Sequence, residues 1–283
     1  MRRDRGYLQI QQTQIDGLKV SFIRQGKGPS LVIVPGLFQH LNGLRHLVNC
    51  LSEHFDVTLL ATPGSEGSSL LPRYDRETVC WWFEETLEKL GIRRAIIVSV
   101  SIGAALALLA LADSKKIQAT AYVVHEPVVR VQDAQFWLRW LHQVDRFLWE
   151  KRAGFVSIGF LWVVRAAFAH VLRRGWAKAL LKTPLCSLSD MAKLLHEGSI
   201  HRLARPVSEK VPTMVVAGER KSRLLLNYSS MKQVMESMKA QAQAILARAR
   251  HFLRRPDQEN FAAQIIQFAQ QRGLLERKSE NSQ

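Results

Sequence analysis

The sequence contains little cysteine and no metal-binding spacing. Its 283 residues include only three cysteines, Cys50, Cys80 and Cys186. They are scattered, odd in number and without the C-x-x-C spacing of structural zinc sites and dithiol redox sites. We therefore expect reduced, partly buried thiols, and neither a metal nor a cofactor.

A secretion signal is also lacking. Residues 1–5 are mostly charged, but no long apolar run follows them before the first predicted strand. The uncharged stretch of residues 153–164 is shorter than the roughly 20 apolar residues that a membrane-spanning helix needs. These absences predict a cytoplasmic protein, with peripheral binding to a membrane as the alternative.

Acidic residues are scarce. The chain has 24 Asp and Glu against 40 Lys and Arg, which gives a formal net charge of +16. Basic and aromatic residues alternate between Arg139 and Lys182. This mixture fits an anionic membrane surface, a dock for an acidic carrier protein, or an ordinary helical cap with solvated charges. No motif of a nucleic-acid-binding module is present, so we expect no specific nucleic-acid partner.

Short apolar runs alternate with helical patterns along the rest of the chain. Such alternation predicts an α/β fold with a parallel sheet and helices on both of its faces. The predicted strands are residues 31–34, 55–61, 95–100, 120–125, 211–219 and a run around 244–249, and the clearest predicted helix is residues 75–90.

The most informative segment is the one around Ser101. A buried-strand pattern changes there into a helical pattern through Ser99-x-Ser101-x-Gly103. Small residues on both sides of a serine allow the sharp strand-to-helix turn that exposes a nucleophilic hydroxyl. The usual pattern is G-x-S-x-G, so this chain has a variant with serine in the first position.

These features together resemble the α/β-hydrolase superfamily over about residues 15–272. The resemblance implies a mostly parallel central sheet with helices on both faces and a helical cap insert. It predicts a core of residues 1–127 and 207–275, a cap of residues 128–206 and a disordered tail of residues 276–283. The motifs that carry it are Val34-Pro35-Gly36-Leu37, Thr62-Pro63-Gly64-Ser65-Glu66-Gly67-Ser68, Ser99-x-Ser101-x-Gly103, Val211-Pro212-Thr213, Ala217-Gly218-Glu219 and His251-Phe252.

The same resemblance implies the roles of the catalytic residues. Ser101 is the expected nucleophile, and His251, after the last predicted strand, is the expected base. The backbone N–H groups of Leu37 and Ile102 are expected to form the oxyanion hole. His125 competes less well for the role of base, and we interpret it as a residue that supports or lines the pocket.

The acid of the triad departs from the pattern. Lys221 stands where the superfamily commonly places an aspartate. Some members carry the acid after the preceding strand, and there this chain has Glu126. We therefore predict Glu126 as the acid, with Glu219 as the alternative and the absence of a functional acid as a third reading.

Three functions follow from this reading. The first is a serine hydrolase of carboxylic esters or lipid-like, apolar acyl substrates. The second is an acyltransferase that uses an acyl carrier protein thioester, because residues 50–57 and the Ser101 motif resemble the 3-hydroxyacyl-carrier acyltransferases of rhamnolipid synthesis. The third is a non-catalytic binding protein on a hydrolase scaffold. The sequence leaves acyl length and oligomeric state open.

Overall fold

An eight-stranded sheet organises the described part of the protein. The computed structural model describes residues 7–36, 39–130, 194–195, 200–220, 228–249, 251 and 253–276. The strand order is β1-β2-β4-β3-β5-β6-β7-β8. The strands are Gln11–Ile15 (β1), Leu18–Gln25 (β2), Ser30–Val34 (β3), Asp56–Leu60 (β4), Arg94–Val100 (β5), Gln118–His125 (β6), Thr213–Gly218 (β7) and Ala242–Leu246 (β8).

Parallel pairing dominates this sheet. The six strands from β4 to β8 in the sheet order pair with one another in parallel, whereas β1 pairs antiparallel with β2 and β2 pairs antiparallel with β4. The helices among the described residues are Arg45–Leu51 (α1), Arg76–Lys89 (α2), Gly103–Asp113 (α3), Ile200–Lys210 (α4), Tyr228–Ser237 (α5) and Arg255–Gln271 (α6), and a 3₁₀ turn at Leu41–Leu44 precedes α1.

Two apolar clusters cover the two faces of the sheet. In β3, Val32 and Val34 belong to one cluster, and Leu31 and Ile33 to the other. This follows from the alternation of side chains along a strand. Buried residues of α2, α3, α4 and α5 join the first cluster, and those of α1 and α6 join the second. The sheet is therefore enclosed on both sides, as the alternation of strand and helix patterns predicts.

Local signals explain where individual helices begin. The Asp75 side chain accepts a hydrogen bond of 2.8 Å from the Thr78 N–H and caps α2. At α6, a proline lies in the first turn, and the Asp257 carboxylate accepts a 2.9 Å hydrogen bond from the Arg254 N–H. The second start is important for the site, because α6 begins four residues after His251.

The predicted elements largely match the structure, with three differences. The predicted strand around residues 244–249 lies earlier, at β8, because Arg248 adopts a turn conformation with φ of +58°. The second difference is the hairpin of β1 and β2, which the sequence analysis does not predict. Its turn at Asp16-Gly17 has positive φ at both residues, which fits a type I′ hairpin. Helix α4 crosses the predicted boundary between cap and core, and its buried residues Ile200 and Ala204 join the core.

The prediction of a helical cap falls mostly outside the described residues, as does nearly all of the predicted tail. Cys186 also lies outside them, whereas Cys50 is half-buried and Cys80 is buried. Among the helices of the described part of the chain, none is both long and apolar enough to cross a membrane.

Candidate active site

Ser101 occupies a sharp turn between β5 and α3. Its φ is +56°, a left-handed conformation that non-glycine residues seldom adopt. The turn is held by the Ser101 N–H, which donates to the His125 carbonyl at 3.0 Å, and by the Ser101 carbonyl, which accepts from the Val128 N–H at 3.0 Å. Strained backbone that is fixed by its surroundings is typical of functional sites. The predicted elbow is therefore present in the backbone geometry.

Two glycines make this turn sterically feasible. A Cβ atom at position 103 would lie 2.3 Å from the Val34 carbonyl oxygen, where no side chain fits. A Cβ atom at position 36 would lie 2.9 Å from the Cβ of Ser101. The loop after β3 therefore packs directly on the serine, and both glycines are needed for this close approach.

Ser99 replaces the first glycine of the usual elbow, and the structure shows how its hydroxyl is accommodated. The Ser99 side chain is fully buried, and its Oγ forms a 2.8 Å hydrogen bond with the Tyr122 hydroxyl on the neighbouring strand β6. Burial raises the pKa of Tyr122 more than this hydrogen bond lowers it, so the phenol stays protonated. A buried hydroxyl without a partner would be costly, so Tyr122 is the residue that makes serine tolerable here.

His251 connects Ser101 to Glu126. Its Nε2 lies 2.8 Å from the Ser101 Oγ, and its Nδ1 lies 2.7 Å from the Glu126 Oε2. An ionised carboxylate can only accept, so the proton is assigned to Nδ1, and Nε2 accepts from the serine hydroxyl. His251 is 4% exposed and Glu126 is fully buried. The three side chains thus form one continuous chain of hydrogen bonds.

Glu126 is held from two sides at the end of β6. Its φ is +44°, and its own N–H donates to the Val216 carbonyl at 3.1 Å. The Oε1 atom accepts a 2.9 Å hydrogen bond from the Gly218 N–H of β7. Burial acts to raise the pKa of Glu126, but hydrogen bonds from His251 and Gly218 and the adjacent histidines outweigh it, so the pKa is lowered. The carboxylate is therefore charged at neutral pH.

The glycine at position 218 leaves room for this carboxylate. A Cβ atom there would lie 3.0 Å from the Glu126 Oε1 and 2.9 Å from the Ala249 carbonyl oxygen. Gly218 belongs to the Ala217-Gly218-Glu219 motif, but sequence reasoning did not assign it a role in the site. The available signal was its position directly before Glu219, the alternative acid, which places Gly218 at the same edge of the sheet as Glu126.

Glu219 does not contact the histidine. It is exposed, and its Oε2 accepts a 2.5 Å hydrogen bond from the Arg248 N–H. The structure thus brings Glu126, and not the alternative Glu219, to His251. Lys221 lies outside the described residues.

One of the two expected oxyanion donors can be located. Ile102 follows the serine directly, just before the first residue of α3, and its N–H has no hydrogen-bond partner among the described residues. A free N–H at a helix N-terminus is well placed to bind developing negative charge. Leu37, the other expected donor, lies outside the described residues, although a Cβ atom on the adjacent Gly36 would lie only 2.9 Å from the Ser101 Cβ.

His125 is buried close to these groups. It is fully buried, and neither ring nitrogen has a hydrogen-bond partner in the described part of the chain. Its ring centroid lies 6.4 Å from that of His251 and 5.4 Å from that of Phe261. Burial lowers the pKa of His125 to about 4, so the ring is neutral at neutral pH. The His125 ring therefore packs between His251 and Phe261.

No cluster of three or more His, Cys, Asp or Glu side chains in the described ranges has an arrangement that could hold a metal ion. The chemistry available to the described residues is that of a buried carboxylate, a histidine and a strained serine next to a free backbone N–H.

Comparisons with known proteins agree with the fold described above. A family model described as the alpha/beta hydrolase fold matches residues 29–157. A search of curated proteins found no match. Many solved structures are similar to this chain at low sequence identity.

Three of these structures indicate the range of activities that share the fold. A membrane phospholipase A, described as a bacterial virulence factor, is 18% identical with a TM-score of 0.67, and the match covers 94% of this chain and 87% of that one. A hydrolase from Pseudomonas aeruginosa PA01 is 16% identical with a TM-score of 0.70, covering 92% and 97%. A bromoperoxidase from Bacillus anthracis is 13% identical with a TM-score of 0.72, covering 93% and 100%.

Proposed function

Because this chain is an α/β-hydrolase-fold protein, we propose that it is a serine hydrolase that cleaves carboxylic ester or lipid-like acyl substrates through an acyl-enzyme on Ser101. The observation that carries the proposal is the chain of hydrogen bonds from Glu126 through His251 to Ser101. A nucleophile within hydrogen-bond reach of a base, which is itself oriented by a third group, is the arrangement that acyl transfer requires.

In the acylation step, the Ser101 Oγ attacks the carbonyl carbon of the ester while His251 Nε2 takes the hydroxyl proton. The Glu126 carboxylate stabilises the imidazolium that forms, without taking its proton. The Ile102 N–H donates to the oxygen that becomes negatively charged, and Leu37 is the expected second donor. As the carbon–oxygen bond to the leaving group breaks, His251 returns the proton to the departing alcohol.

Deacylation repeats these steps with water. His251 Nε2 takes a proton from a water molecule whose oxygen attacks the acyl carbon. The bond to Ser101 Oγ then breaks, and His251 returns the proton to the serine. The products are a carboxylic acid and the free enzyme, so no further reactant is needed.

The proposed substrate class is argued from the sequence of the predicted cap. The membrane phospholipase A that is similar in fold acts, by its name, on phospholipids, but 18% identity transfers only the fold. We propose an apolar acyl substrate because the sequence predicts an aromatic-rich helical cap over the site. Binding to an anionic membrane surface or an acidic carrier protein stays a proposal based on the charge of the same segment.

The acyltransferase alternative uses the same serine and histidine. It differs in the group that resolves the acyl-enzyme, which would be an acceptor hydroxyl and not water. The net charge of +16 favours it to the extent that an acidic carrier protein delivers the acyl group. Product analysis with and without an acceptor alcohol distinguishes the two reactions.

Labelling with a fluorophosphonate probe, followed by a chain-length panel of p-nitrophenyl esters, tests the proposal. We expect the wild-type protein to be labelled, and Ser101→Ala to lose both labelling and esterase activity with the fold retained by circular dichroism. His251→Ala should lose nearly as much, because nucleophile and base act as a unit.

Ser237→Ala is the matched control, since Ser237 is an exposed serine whose hydroxyl donates to the Val234 carbonyl at the end of α5. It should keep full labelling. Labelling of Ser101→Ala would exclude Ser101 as the nucleophile. A wild-type protein that is neither labelled nor active on any ester would support the third reading, a binding protein on this scaffold.

A further inference from the structure

Residues 218–220 lie at the end of β7. One of them contacts Glu126, and the other two contact the turn that precedes His251. The Gly218 N–H donates to Glu126 at 2.9 Å. The Glu219 carboxylate accepts from the Arg248 N–H, and the Arg220 N–H donates to the Ala249 carbonyl at 2.9 Å. The end of β7 is therefore hydrogen-bonded to the chain segment immediately before the histidine.

The turn that Glu219 contacts is strained. Arg248 lies three residues before His251 and has a φ of +58°, which is unfavourable for a residue with a long side chain. The Glu219 carboxylate lies 2.5 Å from its N–H. A hydrogen bond to a charged acceptor is stronger than one between neutral groups, so it can hold such a turn against relaxation.

Glu219 has no part in the proposed chemistry. It is exposed, it does not contact His251, and its carboxylate is used by a backbone N–H. The Glu219 N–H is itself fixed by the Leu246 carbonyl at 3.1 Å. Both ends of this residue thus connect β7 to the segment from Leu246 to Ala249.

We infer that Glu219 is a positioning residue: its carboxylate fixes the turn at Arg248 and thereby keeps His251 within hydrogen-bond reach of Ser101 and Glu126. This inference rests on the proposed function. The expected effect is on the catalytic step, because a misplacement of about 1 Å in a catalytic group can lower the rate by about a hundredfold.

Glu219→Ala removes the acceptor and is the main test. We expect kcat for a p-nitrophenyl ester, and the rate of fluorophosphonate labelling, to fall by about tenfold or more. KM should change little, because Glu219 is exposed and its carboxylate contacts the Arg248 N–H and not the catalytic side chains. The measurement is made at a temperature at which circular dichroism shows the variant to be folded.

Two further variants separate positioning from loss of charge. Glu219→Gln keeps an oxygen that can accept from the Arg248 N–H, so its kcat should stay well above that of Glu219→Ala. Adding Arg248→Gly to Glu219→Ala should restore part of the rate, because glycine adopts a positive φ without a side-chain penalty.

Glu259→Ala is the matched control for loss of an exposed carboxylate. Glu259 lies on α6 and pairs with Arg255 at 3.2 Å, so its removal should leave kcat and KM unchanged. Hydrogen exchange of the peptide that contains residues 246–250 gives a readout independent of activity. Exchange should be faster in Glu219→Ala and close to wild type in Glu219→Gln and Glu259→Ala.

Wild-type kinetics and wild-type hydrogen exchange in Glu219→Ala would overturn the inference. So would a Glu219→Gln variant as slow as Glu219→Ala, because this would assign the effect to charge and not to the hydrogen bond. A wild-type protein that the probe does not label would instead refute the proposed function, and hydrogen exchange would still decide whether Glu219 holds the turn.

Discussion

The ends of β6 and β7 offer a direct comparison. These strands are parallel neighbours, and each is followed by a glutamate at the same edge of the sheet, Glu126 after His125 and Glu219 after Gly218. Glu126 is fully buried and contacts His251, whereas Glu219 is exposed and contacts the Arg248 N–H. Two identical side chains one strand apart therefore have different partners.

Backbone conformation and neighbouring space account for the difference. Glu126 has a φ of +44°, and its carboxylate lies in a space kept open by the missing side chain of Gly218. The Gly218 N–H completes the environment of the carboxylate. The comparison teaches that a carboxylate at the end of β6 can reach His251 when the adjacent strand supplies a glycine and a backbone donor.

The largest effect is expected for Glu126→Gln. This change removes the negative charge that orients and stabilises His251, and we expect kcat to fall by about two to four orders of magnitude. The measurement is kcat for a p-nitrophenyl ester at pH 7 to 8, with folding checked by circular dichroism.

Glu219→Gln provides the matched control for this experiment, since it makes the same chemical change one strand away. It should cost far less than Glu126→Gln. If Glu219→Gln proved the crippling change and Glu126→Gln were mild, the assignment of the acid to the end of β6 would be reversed.

A smaller effect is expected for Gly218→Ala. The new Cβ would lie within 3.0 Å of the Glu126 Oε1 and of the Ala249 carbonyl oxygen, so the carboxylate and the turn must move apart. We expect a loss of about tenfold or more in kcat and of about 1–3 kcal/mol in the free energy of unfolding. Ester kinetics and urea unfolding measure the two effects.

Gly43→Ala is the control glycine for this substitution. A Cβ atom there would meet only the His40 Cβ, at an ordinary contact distance of 3.7 Å. It should leave kcat close to wild type. A Gly218→Ala variant with wild-type kinetics would mean that the space beside Glu126 is not needed for its role.

Replacing His125, which lies beside Glu126, is expected to change catalysis least. It should still change the dependence of stability on pH. Burial lowers the pKa of His125 from 6.5 to about 4. Above pH 6.5 the ring is neutral in both folded and unfolded protein. Between pH 6.5 and 4 the unfolded chain binds a proton that the folded protein does not, so stability falls as the pH falls.

The expected contribution of His125 to this loss is about 3 kcal/mol, from about 1.4 kcal/mol per pKa unit. His125→Leu cannot be protonated and should show a shallower decline in the free energy of unfolding between pH 7 and pH 4. Urea unfolding of both proteins at several pH values makes the comparison. Parallel curves for wild type and variant would contradict the assignment of a neutral buried ring to His125.

The turn at Ser101 and the hydrogen bonds of His251 show which parts of the site could be predicted from the sequence. The order of strand, small residues and helix predicted the turn, and the geometry at Ser101 matches it because local sterics allow few alternatives. The β1–β2 hairpin was missed because β1 is a polar strand, QQTQI, with little apolar alternation. The Asp16-Gly17 turn was the signal that could have found it.

The sequence by itself predicted most of the alternation of strands and helices, the turn at Ser101 and the residues that could act with its hydroxyl. These are encoded in local patterns, since periodicity and turn chemistry act over a few residues. Only the tertiary structure decided which glutamate meets His251, because that contact joins residues 125 positions apart and depends on the space left by Gly218. It also decided that Tyr122 accommodates the serine at position 99, through a contact across neighbouring strands that no local pattern contains.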